Sequence, residues 1–365
     1  MQIVSKRIPL DGTNPAVYPA CTRSAAPTQV GTHLRGGGRT LDRDASMKTM
    51  TAPRGALLRG IAACGVALAL AVLFAPSSAT TQDKGTLNPK PLPPLAKPDD
   101  PATPAKELFG RKTAPAPLQA RTIGFYSKGC LAGAVALPIN GPTWQVMRLS
   151  RNRNWGHPNL IEFLERLSAQ APKTGWHGLL VGDLSQPRGG PMLTGHASHQ
   201  VGLDADIWLT PMPARELTRE EREEISATMV VAEDRKDVDP QVWAPAHVNL
   251  IKAAAKDPQV ARIFVNAAIK KALCRDAGSD RHWLGKVQPW WGHDYHFHVR
   301  INCPSDSSDC TPQPPRPADD GCGAELDHWF TEAILHPKPS PPSKPKPGLR
   351  MADLPAACHQ VLLAP

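Results

Sequence analysis

Apolar residues recur at helical spacing in four stretches of this chain and at strand spacing in four others. Pro158 opens the first helix, in which Leu160, Phe163, Leu164 and Leu167 share a face. Thr218 with Glu221 is a capping box for a second helix running towards Met229. Residues 247–256 form a third, stopped by Asp257-Pro258, and Asn266 caps a short fourth ending near Cys274. Residues 178–182 and 260–265 are short apolar runs of strand length. Leu203, Ala205, Ile207 and Leu209 alternate with Asp204, Asp206 and Trp208, the pattern of a half-buried strand. Phe297, Val299 and Ile301 alternate with His296, His298 and Arg300 in the same way. No regular βαβ rhythm links these elements. The pattern predicts an α+β fold with a small, mostly antiparallel sheet, flanking helices and long loops.

Outside the patterned region the composition changes. The chain has 365 residues with 40 prolines and 28 glycines, unevenly spread, so one core domain with linkers and tails is the better reading. Residues 121–330 are dense in Trp, His and Cys and form the expected domain. Residues 80–120 are rich in Pro, Lys and Ala and read as an extended linker. Residues 331–365 form a proline-rich tail, polyproline-like over 337–348, that Cys358 can tie back to the body.

Charge and cysteine usage point to export. Lys and Arg outnumber Asp by six within residues 1–60, which accounts for most of the net +9. The basic balance therefore says little about the mature protein and excludes a nucleic-acid reading from charge alone. Arg54 and Arg59, the uncharged run 61–75 and the small residues Ser77-Ser78-Ala79 make residues 47–79 a signal peptide. Its apolar run is short for a membrane span, so no stable span is expected once it is removed. Residues 1–46 resemble no targeting segment, and a start at Met47 or Met50 would account for them. Beyond the signal lie six cysteines, Cys130, Cys274, Cys303, Cys310, Cys322 and Cys358, enough for three disulfides in any of 15 pairings.

Two clusters carry candidate chemistry: Gly195-His-Ala-Ser-His-Gln-Val-Gly-Leu-Asp-Ala-Asp206 and Trp290-Trp-Gly-His-Asp-Tyr-His-Phe-His298. On a strand, His296 and His298 project to one face. An isolated pair of this kind is more often a solvated polar face than a site. Asp206 changes that reading, because it lies on the polar face of its own strand with His199 seven residues before it. If the two strands are neighbours, His199, Asp206 and His298 converge. Two histidines and a carboxylate leave a fourth tetrahedral position open, the arrangement of catalytic zinc, where bound water is acidified to a pKa of about 7. The helical H-E-x-x-H signature is absent, so its glutamate base must be replaced, and His296 is the natural candidate. His293 reaches the site only if residues 292–294 form a loop. Trp290 and Trp291 either line the cleft or pack in the core.

At these residues the chain resembles the LAS-type zinc peptidases, with their H-x6-D and H-x-H pattern, and within them the penicillin-insensitive murein endopeptidases. The resemblance also rests on Gly124-Phe-Tyr-Ser-Lys-Gly-Cys130, Gln145-Val-Met-Arg148, Arg262-Ile-Phe-Val-Asn266, Leu273-Cys-Arg-Asp-Ala-Gly278 and Asp320-Gly-Cys-Gly-Ala-Glu-Leu326. It implies a LAS-type fold, a periplasmic location and a peptidoglycan substrate. The reaction implied is hydrolysis of D-alanyl to meso-diaminopimelyl cross-links, insensitive to penicillin because no serine is acylated. By motif match, His199, Asp206 and His298 become the zinc ligands, and His296 the base or transition-state stabiliser. His196 and His293 become active-site histidines, with His293 or the metal steadying the oxyanion. The implied disulfides are Cys130–Cys358, Cys274–Cys322 and Cys303–Cys310. A second metal, as in some relatives, would use His196 with Asp234 and Asp237. Asp237 stands where the family has histidine, which argues for one ion. The oligomeric state is left open, a dimer being compatible with the sequence.

Two rival functions fit the same residues. One is a D,D-carboxypeptidase trimming terminal D-alanine from murein. The other is a non-catalytic peptidoglycan-binding protein, against which the intact ligand set argues.

Overall fold

The computed structural model describes residues 84–316, 318–338 and 347–365. Residues 1–46, the signal segment 47–79 and most of the stretch 337–348 lie outside the described residues.

Strands β1 (Arg121–Phe125) and β2 (Lys128–Ala132) form an antiparallel hairpin, and β3 (Val135–Ala136) pairs with β6 (Trp155–Gly156). The main sheet contains β4 (Asn140–Gly141), β5 (Trp144–Val146), β7 (Leu179–Val181), β8 (Asp204–Trp208), β9 (Val260–Val265), β10 (Val287–Pro289) and β11 (His296–Ile301). Its order is β10, β9, β11, β8, β7, β5, β4. The β9–β10 and β5–β7 pairs are parallel and the other four antiparallel. The fold is α+β, with α1 (Ala105–Phe109), α2 (Pro158–Thr174), α3 (Arg219–Glu224), α4 (Pro245–Lys256), α5 (Ala267–Asp276), α6 (Ala324–His328), α7 (Glu332–Leu335) and α8 (Ala357–Leu363) around these strands.

Alternation along β8 and β11 sorts the two faces of the sheet. Ala205, Ile207, Phe297, Val299 and Ile301 join Ile263 and Val265 in the main core, with Leu160, Phe163 and Leu164 of α2 and Leu250 and Ile251 of α4. Helices α2 and α5 begin where a side chain caps them. The His157 side chain accepts from the Asn159 amide at 3.2 Å with Pro158 in the first turn, and Asn266 accepts from the Ala268 amide at 2.8 Å.

The polar face departs from the half-buried strand the alternation predicts. Every residue of β8 and β11 is buried, the polar positions included. Hydrogen bonds from Leu131 to the Arg188 carbonyl and from Gln200 to the Tyr126 carbonyl tie residues 186–201 to the β1–β2 hairpin. The Thr122 hydroxyl adds a bond to the Val201 carbonyl at 2.9 Å. The polar face thus lines an interior site.

Two other expectations are corrected. α3 stops at Glu224 and does not run on towards Met229. Arg148 donates to the carbonyls of Arg222 and Ile225, groups a continuing helix would use, and the chain turns extended at Ile225. Part of the stretch read as linker is core: Ala105, Phe109 and Ala116 pack with Ile123, Leu354, Val361 and Leu362 in a second apolar cluster. Cys130 is bonded to Cys358, Cys274 to Cys322 and Cys303 to Cys310. The first bond pins α8 against β2, and Arg188 secures the end of α8 by donating to the carbonyls of Val361, Leu362 and Ala364.

Candidate metal centre

Strand register places His298 directly opposite Asp206 on neighbouring strands. His199 arrives from the loop before β8, with a left-handed backbone (φ 65°) held by its amide's bond to Asp204 Oδ2 at 3.0 Å. Gly202, φ 72°, turns the chain into β8; a side chain there would strike Leu131 and the His157 amide.

Three donor atoms meet at this point. His199 Nε2 lies 3.2 Å from His298 Nδ1, and each lies 3.4 Å from Asp206 Oδ1. A tetrahedral ion with arms of about 2.0–2.1 Å spaces its ligands about 3.3–3.4 Å apart. The tautomers sharpen the fit. His199 Nδ1 is 2.8 Å from the Leu184 carbonyl, which can only accept, so Nδ1 carries the proton and Nε2 presents its lone pair. His298 Nε2 is 2.9 Å from Asp204 Oδ1, so Nδ1 presents its lone pair. Two lone pairs and a carboxylate oxygen therefore face one another with no proton among them, and Asp206 Oδ1 is a buried oxygen without a hydrogen-bond partner. This donor set fits a divalent cation, and its two imidazoles and one carboxylate suit zinc.

The electrostatics agree. Burial opposes charge on Asp206, but His296, His199 and His196 outweigh it and hold its carboxyl well below the usual range. Asp204 is held low in the same way, burial being overcome by Arg300, at 2.8 Å, and by His298. Burial also works against a charged His199, but Asp206, Asp204 and Asp183 prevail and raise its pKa, the mark of a point that attracts positive charge.

Two further histidines flank the centre. His296 Nε2 is 3.6 Å from Asp206 Oδ1, its Nδ1 has no partner, and burial pulls its pKa down to about 3. His296 is thus held as an uncharged imidazole. His293 sits in a loop with φ 59°, which brings its ring to 4.8 Å from that of His296 and 5.8 Å from that of His298. Its Nδ1 donates to the Trp291 carbonyl at 2.8 Å, leaving Nε2 free. His196 Nε2 is bonded to Asp183 Oδ2 at 3.0 Å, with Nδ1 3.4 Å from Asp206 Oδ2. His196, His199 and Asp206 likewise bring one donor atom each within 4.8 Å of one another.

Asp234 and Asp237 do not join His196. Asp237 pairs with Arg275 at 2.9 Å and Lys271 at 3.5 Å, and Asp234 accepts from the Lys236 amide. An aspartate neutralised by two cations makes a poor third ligand. Trp290 is largely exposed, its ring 5.7 Å from Phe264, and Trp291 packs against Trp329 at 5.1 Å.

Sequence reasoning missed three supporting residues. Asp204 orients His298 and is itself held by Arg300. Its position two residues before Asp206, on the same strand face, was the available signal. Asp183 orients His196 and pairs with Arg151 and Arg153, and nothing in the sequence places it there.

A family model described as penicillin-insensitive murein endopeptidase matches residues 122–363. The chain is similar to the penicillin-insensitive murein endopeptidase of Haemophilus influenzae, 49% identical over 254 residues, covering 68% of this chain and 84% of that protein. The Klebsiella pneumoniae protein of the same name is 46% identical over 263 residues, covering 72% of this chain and 91% of the relative. That of Escherichia coli O1:K1 is 46% identical over 262 residues, with 72% and 91% covered.

Proposed function

The chain belongs to the penicillin-insensitive murein endopeptidase family, and on that premise we propose that it is a zinc endopeptidase that hydrolyses D-alanyl to meso-diaminopimelyl cross-links in peptidoglycan. The convergence of three unprotonated donor atoms from His199, Asp206 and His298 carries the reading. These side chains would hold the zinc. Bound there, the ion supplies Lewis-acid polarisation and lowers the pKa of water.

The protein's own groups do the rest. His296, uncharged and 3.6 Å from Asp206 Oδ1, is placed to accept the proton of the attacking water and return it to the departing amine. His293, with Nδ1 committed to Trp291 and its pKa lowered by burial, presents Nε2 as a hydrogen-bond acceptor. Asp204 holds the His298 ring in place with the correct nitrogen unprotonated. Asp204→Asn is expected to weaken zinc affinity about 10- to 100-fold. Titration against a competing chelator checks this, and unchanged affinity would remove Asp204 from the account.

We propose that the protein acts in the periplasm after export through residues 47–79. Three disulfides support an oxidising compartment, and no described helix is long and apolar enough to cross a membrane. The catalytic domain is proposed to span residues 121–330, with the tail returned through Cys358.

Muropeptide analysis tests the function. Incubation of cross-linked murein with the purified protein should convert dimers to monomers, and a chelator should stop the conversion. Loss of terminal D-alanine with dimers intact would instead mark a D,D-carboxypeptidase.

A further inference from the structure

Beside the loop that carries His293, the chain from Val230 to Asp239 folds into a tight hairpin. Val231 bridges Val238, the Ala232 amide donates to the Asp237 carbonyl, and the Asp239 amide to the Val230 carbonyl. The Val230 amide docks this hairpin on the Asp294 carbonyl at 3.0 Å, one residue from His293. At its tip sits Arg235, with φ 60°. That left-handed conformation favours glycine or asparagine and strains an arginine.

The strained arginine is placed for use. Its half-buried side chain lines a crevice with Asn266, Trp290, Trp291 and Trp329. Asn266 also fixes the neighbouring loop, donating from its amide to the His293 carbonyl at 3.2 Å and from its side chain to Asp294 Oδ1 at 2.5 Å. Among the described residues the Arg235 guanidinium makes no ion pair or hydrogen bond. Asp294, the acid that feels its charge, has its carboxyl bonded to Asn266. A guanidinium with no direct ion pair, on a strained residue in an aromatic crevice beside the loop that carries His293, is a site for an anion.

The proposed substrate carries an anion close to its scissile bond. In a D-alanyl to diaminopimelyl cross-link, the carbon bonded to the scissile nitrogen also bears a free carboxylate. We infer that Arg235 is a specificity-determining residue that binds this carboxylate, on the leaving-group side of the bond. The inference rests on the cross-link reading above. The planar guanidinium suits a carboxylate held through two parallel hydrogen bonds.

The test compares two purified muropeptide dimers, one with that carboxylate free and one with it amidated. Wild-type protein should prefer the free acid by about 10- to 100-fold in kcat/KM, the worth of a charge-assisted bond. Arg235→Gln should lose the preference, mostly through a higher KM, and Arg235→Lys should keep part of it. Arg235→Gly relaxes the backbone, so it should melt no lower than wild type and still lose the preference, which separates ligand binding from a structural role. A preference that survives in Arg235→Gln or Arg235→Gly, or is missing from an active wild type, overturns the inference alone. A wild type that cuts neither dimer overturns the cross-link reading and takes the inference with it.

Discussion

His298→Ala is expected to purify without stoichiometric zinc and to cleave cross-linked dimers no faster than background. His298 Nδ1 is one of three donor atoms lying 3.2–3.4 Å apart. Without it the triangle of close donor atoms is broken, and His199 and Asp206 keep only His196 near them. The fold should survive, because Phe297, Val299 and Ile301 bury the opposite face of the same strand. Asp204 also keeps its bond from Arg300 when His298 is gone. Metal analysis, near-ultraviolet circular dichroism and dimer hydrolysis on one preparation decide the matter. A folded variant with full zinc and normal turnover would remove His298 from the ligand set.

His296→Ala should behave differently. His296 is buried beside the centre, but Nε2 stands 3.6 Å from Asp206 Oδ1, outside the close triangle of donors. Zinc should therefore stay at one per chain while turnover falls about 10²- to 10⁴-fold, the usual cost of removing a positioned base. Loss of the metal would make His296 a ligand, and wild-type turnover would deny it a role in proton transfer. Together the two variants separate metal binding from proton transfer within one strand.

Much of this site could be read from strand periodicity. The alternation in residues 203–209 and 296–301 is enough to put Asp206, His296 and His298 on polar faces. The sequence could not show that β8 and β11 are direct neighbours in register, since that pairing joins segments about 90 residues apart. Nor could it show that the polar faces are buried, because alternation alone does not say what covers a face. His293 reaches the cluster through a left-handed backbone, a conformation no periodicity encodes. Asp183 meets His196 only because β7 and β8 lie side by side. The helices followed the same rule. Those bounded by local caps, such as Pro158–Thr174 and Ala267–Asp276, were legible, whereas Arg219–Glu224 is ended by Arg148 from a distant segment.

The central claim concerns one ion and three atoms. Anomalous diffraction from crystals of the zinc-loaded protein, collected on either side of the zinc absorption edge, tests it most directly. The account predicts one peak bonded to His199 Nε2, Asp206 Oδ1 and His298 Nδ1, at about 2.0–2.2 Å from each. A peak ligated by another set of residues, or none at this point, would contradict it.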